Sequence, residues 1–144
     1  MATILKYKTA NGYRWRVRWW NEYEKQVSKT FDRQAWAKDF MVKLENDMRE
    51  GTYTEPSKIK LNTYLQEWID GYESKLSPNT ARAYRVNIRH INQFLGTRQI
   101  QKLQPAEIES AYVKLGEYLS PKSVLYIHTT LHRALAMAEK QKLI

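Results

Sequence analysis

Apolar and polar residues alternate with period two from Ile4 to Phe31, most clearly through Tyr13, Arg14, Trp15, Arg16, Val17, Arg18 and Trp19. Such alternation marks strands with two unlike faces. Asn11-Gly12 lies between the run Ile4 to Lys8 and this strand, and both residues tolerate the positive φ of a tight hairpin turn. Asn21 to Lys25 is a polar connection. Gln26 to Thr30 then has the length and β-branched content of a third strand, which completes an antiparallel meander. A three-stranded sheet needs a cover on its apolar face. The period changes at once to supply it: Trp36, Phe40, Leu44 and Met48 recur every four residues, flanked by Ala37 and Met41, with Asp32 suited to the N-cap and Gly51 to the C-terminal stop.

Gly51 to Lys60, GTYTEPSKIK, has turn formers and no periodicity, so it reads as a linker. The expected division is residues 1–57 and 58–144. Beyond it the period is helical. Leu61, Tyr64, Leu65, Trp68 and Tyr72 share one face of a helix that ends before Ser77. A second helix opens on Ser77-Pro78 and buries Ala81, Tyr84, Ile88, Ile91 and Leu95 before Gly96. A third starts near Pro105 and buries Ile108, Ala111, Tyr112 and Leu115. The fourth opens on Ser120-Pro121 and buries Val124, Ile127, Leu131, Ala134 and Ala138. The expected fold is α+β: a three-stranded antiparallel sheet packed on one helix, then an all-α four-helix bundle.

Charge sharpens this picture. Lys and Arg number 24 against 15 Asp and Glu, a net charge of +9, which suits a polyanionic partner. The first 31 residues hold seven of the basic residues (Lys6, Lys8, Arg14, Arg16, Arg18, Lys25 and Lys29) against only Glu22 and Glu24. If Tyr13, Trp15, Val17 and Trp19 face the covering helix, Arg14, Arg16, Arg18 and Trp20 point away from it. A row of arginines on a small sheet presents guanidinium forks to phosphates and guanine edges in a major groove. Tyr7, Trp20 and Tyr23 add flat surfaces. The plainer alternative, a merely solvated charged face, is weakened by the scarcity of nearby carboxylates. In the helical segment Arg82, Arg85 and Arg89, with Asn79, lie opposite the apolar stripe of the second helix. Lys122, Tyr126, Thr129 and Arg133 do the same on the fourth. Two polar, basic helix faces can grip adjacent phosphates.

Several chemistries find no support. The chain has no cysteine, which removes disulfides, thiolate zinc sites and cysteine nucleophiles, and an intracellular, cytoplasmic location is the simplest reading. No apolar run reaches the roughly 18 residues of a membrane span, and MATILKYK is too short for a signal peptide. His128 and His132 are four apart, but Thr129 stands where the zinc protease motif needs Glu and no third ligand follows, so a polar surface pair is expected and no metal. There is no P-loop, G-x-S-x-G or G-x-G-x-x-G string, and no cofactor is expected. Any of the ten tyrosines could in principle be a nucleophile, but most fall on apolar stripes.

In its second segment, LSPNTARAYRVNIRHINQFLG resembles the Ser-Pro-x-Thr helix opening and Phe-Leu-Gly ending of phage and conjugative-transposon integrases of the tyrosine recombinase family. IQKLQPAEIESAY and LSPKSVLYIHTTLHRALAMAEKQKLI match that family's following segments in order. The strand-strand-strand-helix unit before them is similar to its arm-type DNA-binding domain. The departures are small: Gln104 stands for a more usual Thr before Pro105, and Asp32 follows Phe31 where a Thr-Lys pair is common. The resemblance implies that residues 1–57 bind arm-type sites and residues 58–144, a SAM-like core-binding bundle, bind core sites. It also implies partner protomers in a synaptic complex, with the fragment alone monomeric. The family's catalytic groups belong to a further domain, expected to begin where KQKLI ends, and no His-x-x-Arg string is present. No catalytic residue is therefore assigned, and a helical adaptor, a regulatory DNA-binding protein or an RNA binder are the competing classes.

Overall fold

A computed structural model describes residues 2–144, and the chain divides between Glu55 and Pro56 into two compact units. The first is a meander of order β1-β2-β3, with β1 Thr3–Thr9, β2 Gly12–Trp20 and β3 Gln26–Phe31, followed by α1 Gln34–Glu50. Both strand pairs are antiparallel, with Leu5 opposite Arg16 and Arg16 opposite Thr30. Side chains of paired positions share a face. One face therefore carries Ile4, Trp15, Val17, Trp19, Val27 and Phe31. Val17, Trp19, Ala37 and Leu44 form the buried core, with Phe40, Met41 and Met48 packed against it. Phe40 reaches both Trp19 and Phe31, its ring centroid 5.5 and 5.2 Å from theirs.

Four local expectations change. The first hairpin turns at Ala10-Asn11, and Gly12, already in β2, takes the positive φ of 115° that only a residue without Cβ adopts cheaply. Tyr13 faces the helix side in register but lies at the hairpin end, beyond α1, and is exposed. Trp36 is 51% exposed, so the apolar stripe of α1 begins at Ala37. Asp32 does not cap α1. The N-cap is Arg33, without a side-chain bond, and Asp32 pairs with Arg14 instead. Gly51 does close α1 in the left-handed conformation, φ 73°.

The segment after α1 is more ordered than its composition suggests. Tyr53 packs on the first core and its hydroxyl accepts a 2.8 Å bond from Trp19 Nε1. Asn21, 6% exposed, accepts backbone N–H bonds from Tyr23 and Lys25 at 3.0 and 2.9 Å and donates to Glu55 at 2.9 Å. Within the second unit, Ser57 N–H donates to the Gln101 side chain and Ile59 packs on the helical core.

That second unit contains α2 Leu61–Tyr72, α3 Pro78–Leu95, α4 Pro105–Gly116 and α5 Pro121–Lys140, with 3₁₀ turns at Glu73–Lys75 and Ile100–Lys102. The Ser-Pro starts act as read: Ser77 accepts from Thr80 N–H and Ser120 from Ser123 N–H. Gln104, the departure before Pro105, forms a capping box with Glu107. α2 has no side-chain cap, and its first N–H groups are taken by the carbonyls of Arg98 and Gly96. Leu61, Leu65, Ile69, Ile91, Leu115, Ile127 and Leu131 are almost wholly buried at the centre. Burial of each such aliphatic side chain stabilises by about 1.5–3 kcal/mol.

Asn21→Ala removes two backbone caps and the bond to Glu55 at one buried position. It should cost about 1–3 kcal/mol, read as a lower urea midpoint by tryptophan fluorescence. A loss below about 0.5 kcal/mol would mean that the backbone bonds of the turn suffice without it.

Candidate nucleic-acid interface

The open face of the sheet, opposite α1, carries Arg14, Arg16, Arg18 and Trp20 from β2, as the alternation requires. Its neighbours in register are Leu5 and Tyr7 on β1 and Gln26, Ser28 and Thr30 on β3. The three arginines are not equivalent. Arg14 Nε lies 3.3 Å from the Asp32 carboxylate, an exposed ion pair of little stabilising worth. Arg18 is half-buried, and its Nε is inaccessible without a hydrogen-bond partner among the described residues. Arg16 is exposed and lies over the Tyr7 ring, 4.8 Å from its centroid, with Nη2 3.4 Å from the phenol oxygen. A hydrogen bond from the Thr30 hydroxyl, with Arg16 and Arg14 adding to it, lowers the pKa of the Tyr7 phenol from its usual value.

The sheet lysines occupy different ground. Lys6, Lys8 and Lys29 pair with Trp15, Tyr13 and Val17, so they belong to the helix side of the two outer strands. Lys6 Nζ is 4.3 Å from the Tyr13 ring centroid, and Lys29 Nζ is 5.0 Å from that of Phe40 on α1. Their stems cover aromatic rims while their charges stay at the margins of the sheet. Thr30 and the support of Arg16 by Tyr7 did not emerge from the alternation alone. The signal for them is the cross-strand register, which sets Thr30 opposite Arg16 and Tyr7 one step along.

In the helical unit the candidates again divide. Arg85 donates to Glu73 at 2.6 Å and to Asp70 at 3.2 Å, and Gln66 donates to the same Asp70 carboxylate. The Gln66 bond and then Arg85 hold the Asp70 carboxyl below its usual pKa. Arg85 thus ties α3 to α2 through two carboxylates, while Arg82 and Arg89 make no ion pair among the described residues. Arg82 is exposed and reaches Asn79 at 3.4 Å. Arg89, also exposed, lines a cleft of about 260 Å³ with Gln66, Ile69 and Asn92. On α5, Lys122 lies 5.8 Å from the exposed Tyr126 ring, and Thr129 bonds back to the Leu125 carbonyl. Arg133 donates to Tyr84 at 2.9 Å, and Tyr84 stacks on Trp68. Asn87, not singled out by sequence, joins α3 to the buried Thr130 of α5 at 2.9 Å.

Other chemistry is sparse. His128 Nδ1 is 3.1 Å from the Tyr112 hydroxyl, and among the described residues no group of three His, Cys, Asp or Glu is placed to hold a metal. Burial pushes the phenols of Tyr64 and Tyr112 up to about 12, which disfavours their phenolates. Among the described residues no helix is long and apolar enough to cross a membrane.

Fold and surface charge define a basic chain built of a small arginine-faced meander and a SAM-like helical bundle. Residues 60–116 of the helical unit match the family described as the phage integrase N-terminal SAM-like domain. This bears out the resemblance carried by its Ser-Pro helix openings. Two solved structures share the fold over 96% of the chain. One is a lambda integrase tetramer bound to a Holliday junction (TM-score 0.57, 17% identity), the other a lambda integrase dimer bound to a COC′ core site (TM-score 0.57, 15% identity). The chain spans only 42% and 41% of those two proteins. No curated protein matches it.

Arg85→Gln should lower stability at neutral pH by a small, salt-screened amount, because Asp70 and Glu73 lose their partner. Asp70 is depressed, so its contribution is present above the unfolded carboxylate value near 4 and is lost as pH falls through its folded value. The difference in melting temperature between the two proteins should therefore shrink as the pH is lowered below about 4. A difference that persists at acid pH would assign Arg85 a packing role instead.

Proposed function

We propose that this chain is the duplex-DNA-binding portion of a site-specific tyrosine recombinase, an integrase acting in DNA integration and recombination. Residues 1–57 recognise arm-type sites and residues 58–144 core-type sites. The strand-transfer chemistry belongs to residues other than these 144, and protomers of the whole protein meet in a synaptic complex in the cytoplasm. The observation that carries this reading is the open sheet face: three arginines on one central strand, opposed by a single carboxylate, Asp32. Two interstrand spacings make the sheet about 10 Å wide, which suits a major groove about 12 Å wide. The marginal lysines Lys6, Lys8 and Lys29 then fall toward the phosphates on either side. In the helical unit Asn79, Arg82, Arg89, Lys122 and Tyr126 are the contacts, with Thr129 and Arg133 beside them.

A second reading, a protein-binding adaptor, draws on an apolar groove of about 700 Å³ lined by Ile108, Tyr112, Val124, Leu131 and Ile144. Selection from random duplexes at several salt concentrations separates the two. The DNA reading expects two unrelated motifs, one lost with Arg14, Arg16 and Arg18 together and the other with Arg82 and Arg89. It also expects the salt slope to fall by about 0.9 for each phosphate contact removed. Steep salt dependence with no enriched motif would reduce the charge to a general grip on polyanions. A covalent phosphotyrosyl product formed by this chain on a selected duplex would overturn the non-catalytic assignment.

A further inference from the structure

The open sheet face offers three guanidinium groups, and their surroundings rank them. Arg14 is drawn to the Asp32 carboxylate, and Arg18 is half-buried with its Nε enclosed. Arg16 is on the central strand, is exposed, and has no carboxylate within ion-pair distance among the described residues. Its support comes from the Tyr7 ring below it on β1 and from the phenol oxygen, 3.4 Å from Nη2.

We infer that Arg16 reads a guanine at the centre of the sheet's target, and that Tyr7 is the positioning residue that holds the guanidinium over its ring. This rests on the DNA reading above and goes further by assigning one base to one side chain. A guanine edge presents two acceptors, N7 and O6, which the planar fork of arginine meets in a fixed geometry, whereas lysine offers a point charge with rotatable donors. A long side chain normally loses rotamer freedom on binding, and a ring already under the guanidinium removes part of that loss beforehand. Tyr7 carries no charge at neutral pH, so its effect should appear in base discrimination and not in the general attraction to phosphates. Arg14, partly neutralised and at the hairpin end, is placed to serve the backbone.

The test uses the full chain and the duplex it enriches from a random library, with each guanine replaced in turn by 7-deazaguanine, which lacks the N7 acceptor. One replacement should weaken the unaltered protein roughly tenfold. With Arg16→Ala the same replacement should cost nothing further, and Arg16→Lys should lower the penalty while keeping the salt slope. Tyr7→Phe, which retains the ring, should keep most of the discrimination. Tyr7→Leu, which keeps apolar volume on the strand without a ring face, should lose it by a larger factor than it loses affinity for random duplex. Circular dichroism establishes that each variant is folded. A replacement that couples to Arg14 or Arg18 instead of Arg16, or discrimination unchanged in Tyr7→Leu, overturns the inference and leaves the DNA reading standing. Failure to enrich any duplex overturns both.

Discussion

Burial of Val17 and Trp19 beneath α1 is the constraint on which the first unit depends. A strand has only two faces, so fixing these two side chains inward fixes Arg14, Arg16 and Arg18 outward with no further choice. Slippage of β2 by one residue would bury three guanidinium groups and expose two indoles, a desolvation cost that rules strongly against the shifted register. The arginine face is thus held by the core behind it. The Trp19 indole N–H and the Asn21 side chain add to this by drawing Tyr53 and Glu55 onto the end of the sheet.

The helical unit solves a different problem with similar means. Its four helices bury a continuous aliphatic centre, and its polar residues are used as fasteners around the rim. Arg85 bridges two acids of the α2 end, Asn87 reaches the enclosed Thr130, and Arg133 meets Tyr84. The enclosed Thr130 hydroxyl donates to the Tyr126 carbonyl at 3.0 Å and accepts from Asn87, so both its donor and its acceptor capacity are used. Arg82 and Arg89 take no part in these ties between helices and remain exposed.

Much of this was legible before any coordinates. Period-two alternation gave the phase of β2, and Ser-Pro pairs gave the starts of α3 and α5, because both depend on local stereochemistry. What was hidden depended on partners far along the chain. Asp32 looks like an N-cap until Arg14, eighteen residues earlier, competes for it. Trp36 keeps helical spacing with Phe40 but stays half exposed, with the Arg33 guanidinium over its ring instead of the sheet. Arg85 falls in step with Arg82 and Arg89, and only the position of α2 shows that it is already engaged. The stretch Gly51 to Lys60 has the composition of a free linker, yet Tyr53 and Ile59 each find an apolar surface.

The separation of the two faces of β2 has an evolutionary consequence. Positions 15, 17 and 19 answer to the hydrophobic core, while positions 14 and 16 answer mainly to whatever lies across the open face. Selection can therefore rewrite the second set without disturbing the first, and a change of target need not be accompanied by a compensating change in packing. Position 18, half-enclosed, is the exception, and drift there should be slower. A scaffold of this kind can diversify its preferences quickly while its architecture stays recognisable at the low sequence identity seen between this chain and lambda integrase.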